Sequence, residues 1–395
     1  MDASLFIARR LRFRGRMAMI SIAISFLVMI IAVSVSSGFR REIAAGLSSI
    51  SGDVQLLPPD MNVFDESSPI EWNASYLPAV RDLKEVEEVV PVVYRAGIVK
   101  SGEDIHGIIV KGLPSEHSPL ADAPDSVSLP VSVPERLSEI TGLSAGDRML
   151  CYFIGDKVRV RNFNIVSVHN ALVEADDRLV VYAALSDMQK LNRWSDNQVS
   201  AVEVRLASDA GDREEINEAA SLIGAMVSGY SAESESPVIS VSSVSRYPQL
   251  FDWLGLIDFN VLFILVLMTV VAGFNMISGL LILLFENIST IGLMKSLGMT
   301  DRAIAKSFLA VSANLVLKGM AVGNALAVLF CVVQSATHFL KLNPENYFVS
   351  FVPVELDIAM ILLADIISFV VIMLLLLIPC LFVAKVDPAE TVRVK

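Results

Sequence analysis

The chain has 395 residues, 54% of them apolar, with a mean hydropathy of +0.59 and a formal net charge of −12. It is more apolar than a soluble domain needs to be, and its acidic balance excludes a nucleic-acid binder, because gripping phosphate takes a basic surface. The three cysteines, Cys151, Cys331 and Cys380, form no disulfide framework, since only Cys151 lies outside the apolar segments.

Four segments have the length and composition of membrane spans. Met17 to Phe39 is uncharged between Arg16 and Arg40. Its triplet Ala32-Val33-Ser34 has the small-x-small pattern of a signal cleavage site. The apolar run is nevertheless longer than the ~7–15 residues of a signal core, so it reads as a retained span. Between Asp258 and Glu286 lie 27 uncharged residues. As a helix they reach ~40 Å, more than the ~30 Å hydrocarbon core requires. Ser307 to Leu340 is interrupted only by Lys318, and Ile358 to Ala384 only by Asp365.

Charge orients these spans. Residues 1–16 carry five arginines and one acid, the loop after the second span holds Lys295, Arg302 and Lys306, and the tail holds Lys385, Arg393 and Lys395. Basic loops stay in the cytoplasm, so both termini and the 286–306 loop are expected inside and the large polar block outside. From Arg41 to Phe251 that block has 17 basic and 32 acidic residues, a net of −15. The expected organisation is a basic N-terminus and first span (1–40), an external domain (41–251) and the second span with its lead-in (252–285). A cytoplasmic coupling segment (286–302), the third span (303–340), an external loop (341–357), the fourth span (358–384) and a cytoplasmic tail (385–395) follow.

The external block reads as α+β. Val54 to Leu57 is a strand stopped by Pro58-Pro59, Tyr76 to Glu88 a helix, and Val89 to Lys100 a valine-rich strand. Ala201 to Leu206 alternates as a half-buried strand, Asp209 to Met226 is an acid-started helix, and Val238 to Val244 another strand. Two β-α-β units around an insertion predict a split ferredoxin-like subdomain. The insertion, about 103–193, is rich in strand signals at Ile105–Val110, Met149–Phe153, Val158–Val168 and Leu179–Tyr182.

Motifs for chemistry are absent. No G-x-x-x-x-G-K-[ST] loop occurs, no G-x-S-x-G elbow, and His106, His117, His169 and His338 form no metal-spaced pair. The acidic pairs Asp65/Glu66, Glu87/Glu88 and Asp176/Asp177 read as solvated faces. No catalytic, cofactor-binding or metal residue is assigned, and the chain is expected not to be an enzyme by itself.

The stretch after the second span is the most informative. Ile291, Met294 and Leu297 recur on roughly one helical face, Gly298 ends the helix, and Thr300 or Asp301 caps the next. A short helix across the mouth of two spans acts as a lever. Polar residues within spans are costly and need reasons. Asn275 reads as a cross-helix hydrogen bond or as a substrate contact, while Lys318 and Asp365 sit at different depths and are not partners. Ser34, Ser36, Ser37 and Gly38 make the outer end of span one small and polar, suited to close packing or to a lateral gap.

Four stretches, in order, carry a resemblance. They are Ile7 to Glu42, ending Ser37-Gly38-Phe39-Arg40-Arg41-Glu42; Ala272-Gly273-Phe274-Asn275-Met276-Ile277-Ser278; Ile291 to Gly298; and Leu342 to Phe348 with Val352-Pro353-Val354-Glu355-Leu356. Pro379 and Asp387-Pro388-Ala389-Glu390 fit as well. Together they resemble the FtsX/MacB superfamily of ABC-transporter permeases, and within it the Lol-type lipoprotein-releasing permeases. The resemblance implies an α-helical membrane protein with four transmembrane helices and a large MacB-like periplasmic domain, in the inner membrane of a bacterial cell. It implies a second permease subunit, identical or homologous, and a cytoplasmic ATPase dimer that uses ATP and Mg, with no cofactor in this chain. Glu286, Ile291, Gly292, Leu293, Met294, Lys295, Leu297 and Gly298 would form the ATPase contact. The cargo would be a triacylated lipoprotein taken from the outer leaflet and passed to a periplasmic chaperone. Ser34, Val35, Ser36, Gly38, Phe39 and Asn275 are the candidates for the place where its acyl chains enter. A MacB-like exporter, usually with a fused ATPase domain, and an FtsX-like signalling permease are the alternatives. Two departures stand out: Ser289-Thr290-Ile291-Gly292 replaces the usual basic residues and Glu-Ile-Gly, and Ile154-Gly155-Asp156-Lys157 reads as a tight turn where some Lol permeases carry a long chaperone-holding hairpin.

Overall fold

The computed structural model describes residues 16–61, 68–101, 104–120, 127–155, 157–169, 179–207, 212–343, 347 and 349–384. The basic 1–15 stretch, Asp65/Glu66, Asp176/Asp177, Pro344-Glu345-Asn346 and the 385–395 tail lie outside the described residues. In chain order the elements are helix α1 (Arg16–Ser51), strands β1 (Val54–Leu57) and β2 (Ile70–Glu71), helix α2 (Leu77–Arg81), and strands β3 (Val86–Ser101), β4 (Asp104–Leu113) and β5 (Pro130–Pro134). Helix α3 (Glu135–Thr141), strands β6 (Arg148–Phe153), β7 (Arg159–His169) and β8 (Leu179–Ala184), helix α4 (Leu185–Asn192), and strands β9 (Gln198–Val199) and β10 (Ala201–Leu206) follow. Helix α5 (Arg213–Tyr230), strand β11 (Ile239–Ser242) and helices α6 (Ser243–Arg246), α7 (Pro248–Glu286), α8 (Ile288–Ser296), α9 (Asp301–Thr337), α10 (Ile358–Leu375) and α11 (Leu377–Ala384) complete the chain. Two compact units result: Met1–Phe39, Leu254–Lys341 and Val352–Lys395 form one, and Arg40–Trp253 with Leu342–Phe351 the other.

Among the described residues, four helices are long and apolar enough to cross a membrane: Met17–Ser51, Pro248–Glu286, Asp301–Thr337 and Ile358–Cys380. Phe259, Phe263 and Phe274 on α7 and Ile366 and Ile367 on α10 are exposed. Lipid, unlike water, accepts such a surface. The fourth apolar run, expected as one helix to Ala384, breaks between Leu375 and Leu377, three residues before Pro379 would have needed a partner for its absent N–H.

Small residues set the packing. Gly319 and Gly323, one turn apart on α9, lie against Ile22, Ala23 and Phe26 of α1. A Cβ at Gly323 would stand 2.5 Å from the Ala23 carbonyl oxygen, so only glycine admits this backbone approach. Polar side chains join the helices elsewhere. Asn275 Nδ2 donates to Ser21 Oγ, which is the cross-helix bond expected of it, and the Thr269 and Ser368 hydroxyls lie 3.0 Å apart. Asn324 Nδ2 donates to Asp365 Oδ2, while Lys318 is exposed, so Asp365 is held by a neighbour at its own depth.

The second unit is built on β3. Its first half pairs with β10, Ala201 opposite Val92 through Leu206 opposite Val86, and its second half pairs with β4 from Val93 to Ser101. The order β11-β1-β10-β3 is a four-stranded antiparallel sheet, with α2 between β1 and β3 in the chain and α5 between β10 and β11. The order β3-β4-β8-β5-β7-β6 continues from it, and β6 returns to β3 at Tyr152–Ile98 and Cys151–Val99. These six strands therefore close into a barrel, which removes free edges. Pro91 sits in the half of β3 that has a neighbour on one side only, where a missing N–H is tolerated.

Two expectations fail here. The helix read over Tyr76–Glu88 stops at Arg81, because Val86 to Glu88 are drawn into β3, where Glu88 pairs with Arg205 at 2.8 Å. The half-buried strand Ala201–Leu206 is buried on both faces: Glu203 is fully enclosed.

Glu203 belongs to a buried polar cluster that also includes Lys111, Tyr94 and Gln55. Lys111 Nζ donates to Glu203 Oε2 at 2.8 Å and to the carbonyls of Ser49 and Ile50 at 3.1 and 2.8 Å. The Tyr94 hydroxyl lies between the Ile50 carbonyl (3.2 Å) and the Glu203 carboxylate, and accepts from Gln55 Nε2 at 3.0 Å. Arg246 donates to Gln55 Oε1 at 2.6 Å. Burial pulls Lys111 below the usual amine range, opposed by Glu203, and burial with the Glu203 charge pushes Tyr94 well above the usual phenol range. Gly52 N–H reaches the Ser48 carbonyl at 2.8 Å, so three of the last four carbonyls of α1 have donors.

Gly323→Leu should weaken packing of α9 on α1 and lower stability by about 1–3 kcal/mol, as overpacking does. Gly229→Leu, which has open space, serves as the control. Thermal unfolding of the purified chain in detergent measures both. Equal melting of the two variants would contradict the close approach.

Candidate functional site

The short helix α8 begins directly after α7 and is where the lever was expected. Ile291 and Met294 are buried with Leu283, Leu284, Ile304 and Phe308 in the core of the helical unit, and Gly292 is buried beside them. Leu293 and Leu297 are 57% and 79% exposed, and Phe285 and Ile288 are exposed near them. The apolar positions thus separate into two faces. Ile291 and Met294 fix α8 to its own spans, while Leu293 and Leu297, with Phe285 and Ile288, are exposed.

The helix terminates as its residues dictate. Gly298 takes φ +86, a left-handed conformation open to glycine without strain, and Met299 N–H returns to the Met294 carbonyl at 3.0 Å. Thr300 caps α9 by accepting from the Ala303 N–H, so α9 begins at Asp301 rather than near Ala303. Lys295 pairs with Asp301 at 2.9 Å across this turn, and Glu286 at its start is exposed. The angle between α8 and α9 is therefore held by a glycine turn, a cap and an ion pair together.

The outer end of span one was the second candidate. Ser34 and Gly38 pack against the 353–355 segment: the Ser34 carbonyl accepts from Glu355 N–H at 2.9 Å, and a Cβ at Gly38 would stand 2.6 Å from the Pro353 carbonyl carbon. Ser36 Oγ donates to Asp258 Oδ1 of α7 at 2.8 Å. Phe39 is buried, while Val35 and Ser37 remain half-buried. Asn275, bonded to Ser21, lies seventeen positions after Asp258 on α7 and does not join the group around Ser36. Close packing accounts for Ser34, Ser36 and Gly38 within one chain. Val35 and Ser37 are what that packing leaves accessible.

Sequence reasoning missed Asp258 and Pro353 as partners of this end, and the 353–355 segment as its cover. Lys111 and Glu203 were missed because a lone charge in a strand reads as facing solvent. The signal available for Lys111 was its place at the end of Ile108-Ile109-Val110, a run with no polar alternation.

The fold and these sites define a class. The family described as MacB-like periplasmic core domain matches residues 17–222, more than half of the chain, and that described as FtsX-like permease C-terminal matches residues 262–388. The chain belongs to the family of ABC-transporter permeases with a MacB-like periplasmic core domain and an FtsX-like C-terminal region. It is similar to the lipoprotein-releasing system transmembrane protein LolC of Neisseria meningitidis serogroup B, at 21% identity over 94% of this chain and 92% of that protein. Among solved structures it is similar to the periplasmic region of MacB from Actinobacillus actinomycetemcomitans (13% identity, TM-score 0.31, 52% of this chain and 95% of that one). A second is the extracellular domain of the transporter YknZ from Gram-positive bacteria (12% identity, TM-score 0.29, 48% and 99%).

The two faces of α8 make a direct prediction. Leu297→Asp, on the exposed face, should abolish co-purification with the ATPase subunit and leave the melting temperature unchanged. Met294→Asp puts a charge in the core and should cost about 3 kcal/mol or more of stability. Pull-down and thermal unfolding, run side by side, check both. Retained ATPase binding in the Leu297 variant would remove that face from the contact.

Proposed function

We propose that this chain is the permease of a lipoprotein-releasing ABC transporter. It crosses the inner membrane four times, with N-terminus, α8 and C-terminus in the cytoplasm. The observation that carries the reading is similarity along nearly the whole chain, spans and external unit alike, to a protein named for lipoprotein release. The order of the external sheet, β11-β1-β10-β3 with helices after β1 and β10, supports the split ferredoxin-like reading, with the barrel as the insertion.

In this account two permease subunits pair and a dimer of cytoplasmic ATPase subunits docks on their α8 helices through Leu293 and Leu297. ATP and Mg act in those subunits. Closure of the ATPase dimer shifts α8, and the glycine turn, cap and Lys295–Asp301 pair pass that shift to α9. The cargo explains why such a machine is needed. Each acyl CH₂ moved from lipid to water costs ~0.8 kcal/mol, so a multiply acylated polypeptide leaves the bilayer only with an energy source and an apolar shelter. Acyl chains would enter beside Val35 and Phe39, where the Ser36–Asp258 bond holds span one to span two and must open. The released lipoprotein then passes to a periplasmic chaperone. With only residues 154–158 between β6 and β7, the hook for that chaperone falls to the partner permease or to another surface.

The decisive assay reconstitutes the chain with its ATPase in liposomes holding a triacylated lipoprotein. ATP and a soluble chaperone should release the lipoprotein, and a diacyl glycerophospholipid of similar size should stay. Release of neither cargo, with ATP still hydrolysed, would overturn the reading in favour of export or signalling. Topology is checked separately: from outside intact cells, a maleimide should label a cysteine at Glu139 and not one at Thr300, both exposed positions. Background should be low, because Cys151, Cys331 and Cys380 are all buried and burial pushes the Cys151 thiol up to about 12.

A further inference from the structure

Helix α1 does not end at the limit of its apolar residues. It runs on from Phe39 to Ser51, and its last turn meets the buried cluster of Lys111, Glu203 and Tyr94. We propose that these three side chains are the grip by which α1 moves the external sheet, so that they set how much lipoprotein is released per ATP. This rests on the release reading above.

Four observations carry it. The bonds are directional: Lys111 Nζ holds two successive carbonyls of the final turn, Ser49 at 3.1 Å and Ile50 at 2.8 Å, and the Tyr94 hydroxyl is 3.2 Å from Ile50. An apolar contact lets a helix slide or rotate, whereas carbonyls gripped from two strands do not. The sign of charge also fits, since the carboxyl end of a helix carries partial negative charge and Lys111 is its cation.

The location matters most. Lys111 is on β4, Tyr94 on β3 and Glu203 on β10, and Tyr94 lies opposite Lys111 in register. Tyr94 comes two residues after the point where β3 leaves β10 for β4. Displacement of the Ile50 carbonyl is thus delivered to the four-stranded sheet and to the barrel at once. Finally, a buried ion pair seldom adds stability over apolar residues of the same volume. Capping the Ser49 and Ile50 carbonyls needs only neutral donors; an enclosed ion pair holding them adds a fixed attachment.

The test uses the full chain with its ATPase in liposomes and the variant Lys111→Met/Glu203→Gln, which removes both charges and keeps the volume. Lys111→Met alone strands the Glu203 carboxylate and should unfold at lower temperature, so it reports on folding rather than on grip. In the double variant, amide hydrogen exchange at residues 47–52 should rise about tenfold, while exchange in β6 and β7 stays within about twofold. Lipoprotein released per ATP hydrolysed should fall about tenfold at unchanged ATP turnover, a split that a purely structural role would not produce. Exchange at 47–52 equal to that of the unaltered chain, or an unchanged ratio of release to hydrolysis, would overturn the proposal. If the unaltered complex releases nothing, the release reading fails by itself, and the exchange measurement still decides whether the grip exists.

Discussion

A helix that leaves a membrane and ends inside a folded domain must satisfy its last carbonyls without water. This constraint shapes the external unit. The end of α1 is met by Lys111 and Tyr94, which requires β3 and β4 to lie side by side at residues 94 and 111. Lys111 requires Glu203, which requires β10 beside β3, and Glu203 lies opposite Gln55 of β1. From one helix end the neighbourhood of four strands follows. The barrel then grows from the far half of β3, whose sixteen residues are enough to serve both substructures.

The helical unit answers to a different solvent. Lipid offers no gain for burying leucine, so its helices associate through shape and hydrogen bonds. Gly319 and Gly323 let α9 reach the backbone of α1, Ser36 ties α1 to Asp258, and Asn324 holds Asp365. At its foot, α8 is firmly seated by Ile291 and Met294 while Leu293 and Leu297 stay open.

What the sequence made legible follows from which constraints are local. Spans are read from uncharged runs because the bilayer fixes their length, and the Gly298 turn and Thr300 cap are set by residues a few positions apart. Strands β1, β3, β4, β6, β7, β8, β10 and β11 show as short apolar or alternating runs. Strand β5 was missed, since Pro130 and Pro134 at its ends read as loop, and so were the two-residue strands β2 and β9. Closure of the barrel depends on Ile98 and Val99 meeting Tyr152 and Cys151, a pairing across some fifty positions that no periodicity announces. Glu87 and Glu88 looked like a solvated helix face, yet a strand edge exposes them equally well, and the Arg205 partner decides the matter. The i, i+3 stripe of α8 was visible, but periodicity reports a buried face without saying whether the cover is the chain itself or a partner. Here the chain itself covers Ile291 and Met294, while Leu297, the third residue of that stripe, lies just past the last residue of α8 and faces outward with Leu293.

The central claim is that this permease works with separate ATPase subunits to take an acylated polypeptide out of the membrane. Native mass spectrometry of the complex, purified intact from its own membrane, tests it most directly. The account predicts two permease chains, two ATPase subunits and a bound polypeptide whose mass includes three acyl chains. A permease that carries no nucleotide-binding partner, or whose bound cargo has no acyl chain, would contradict it.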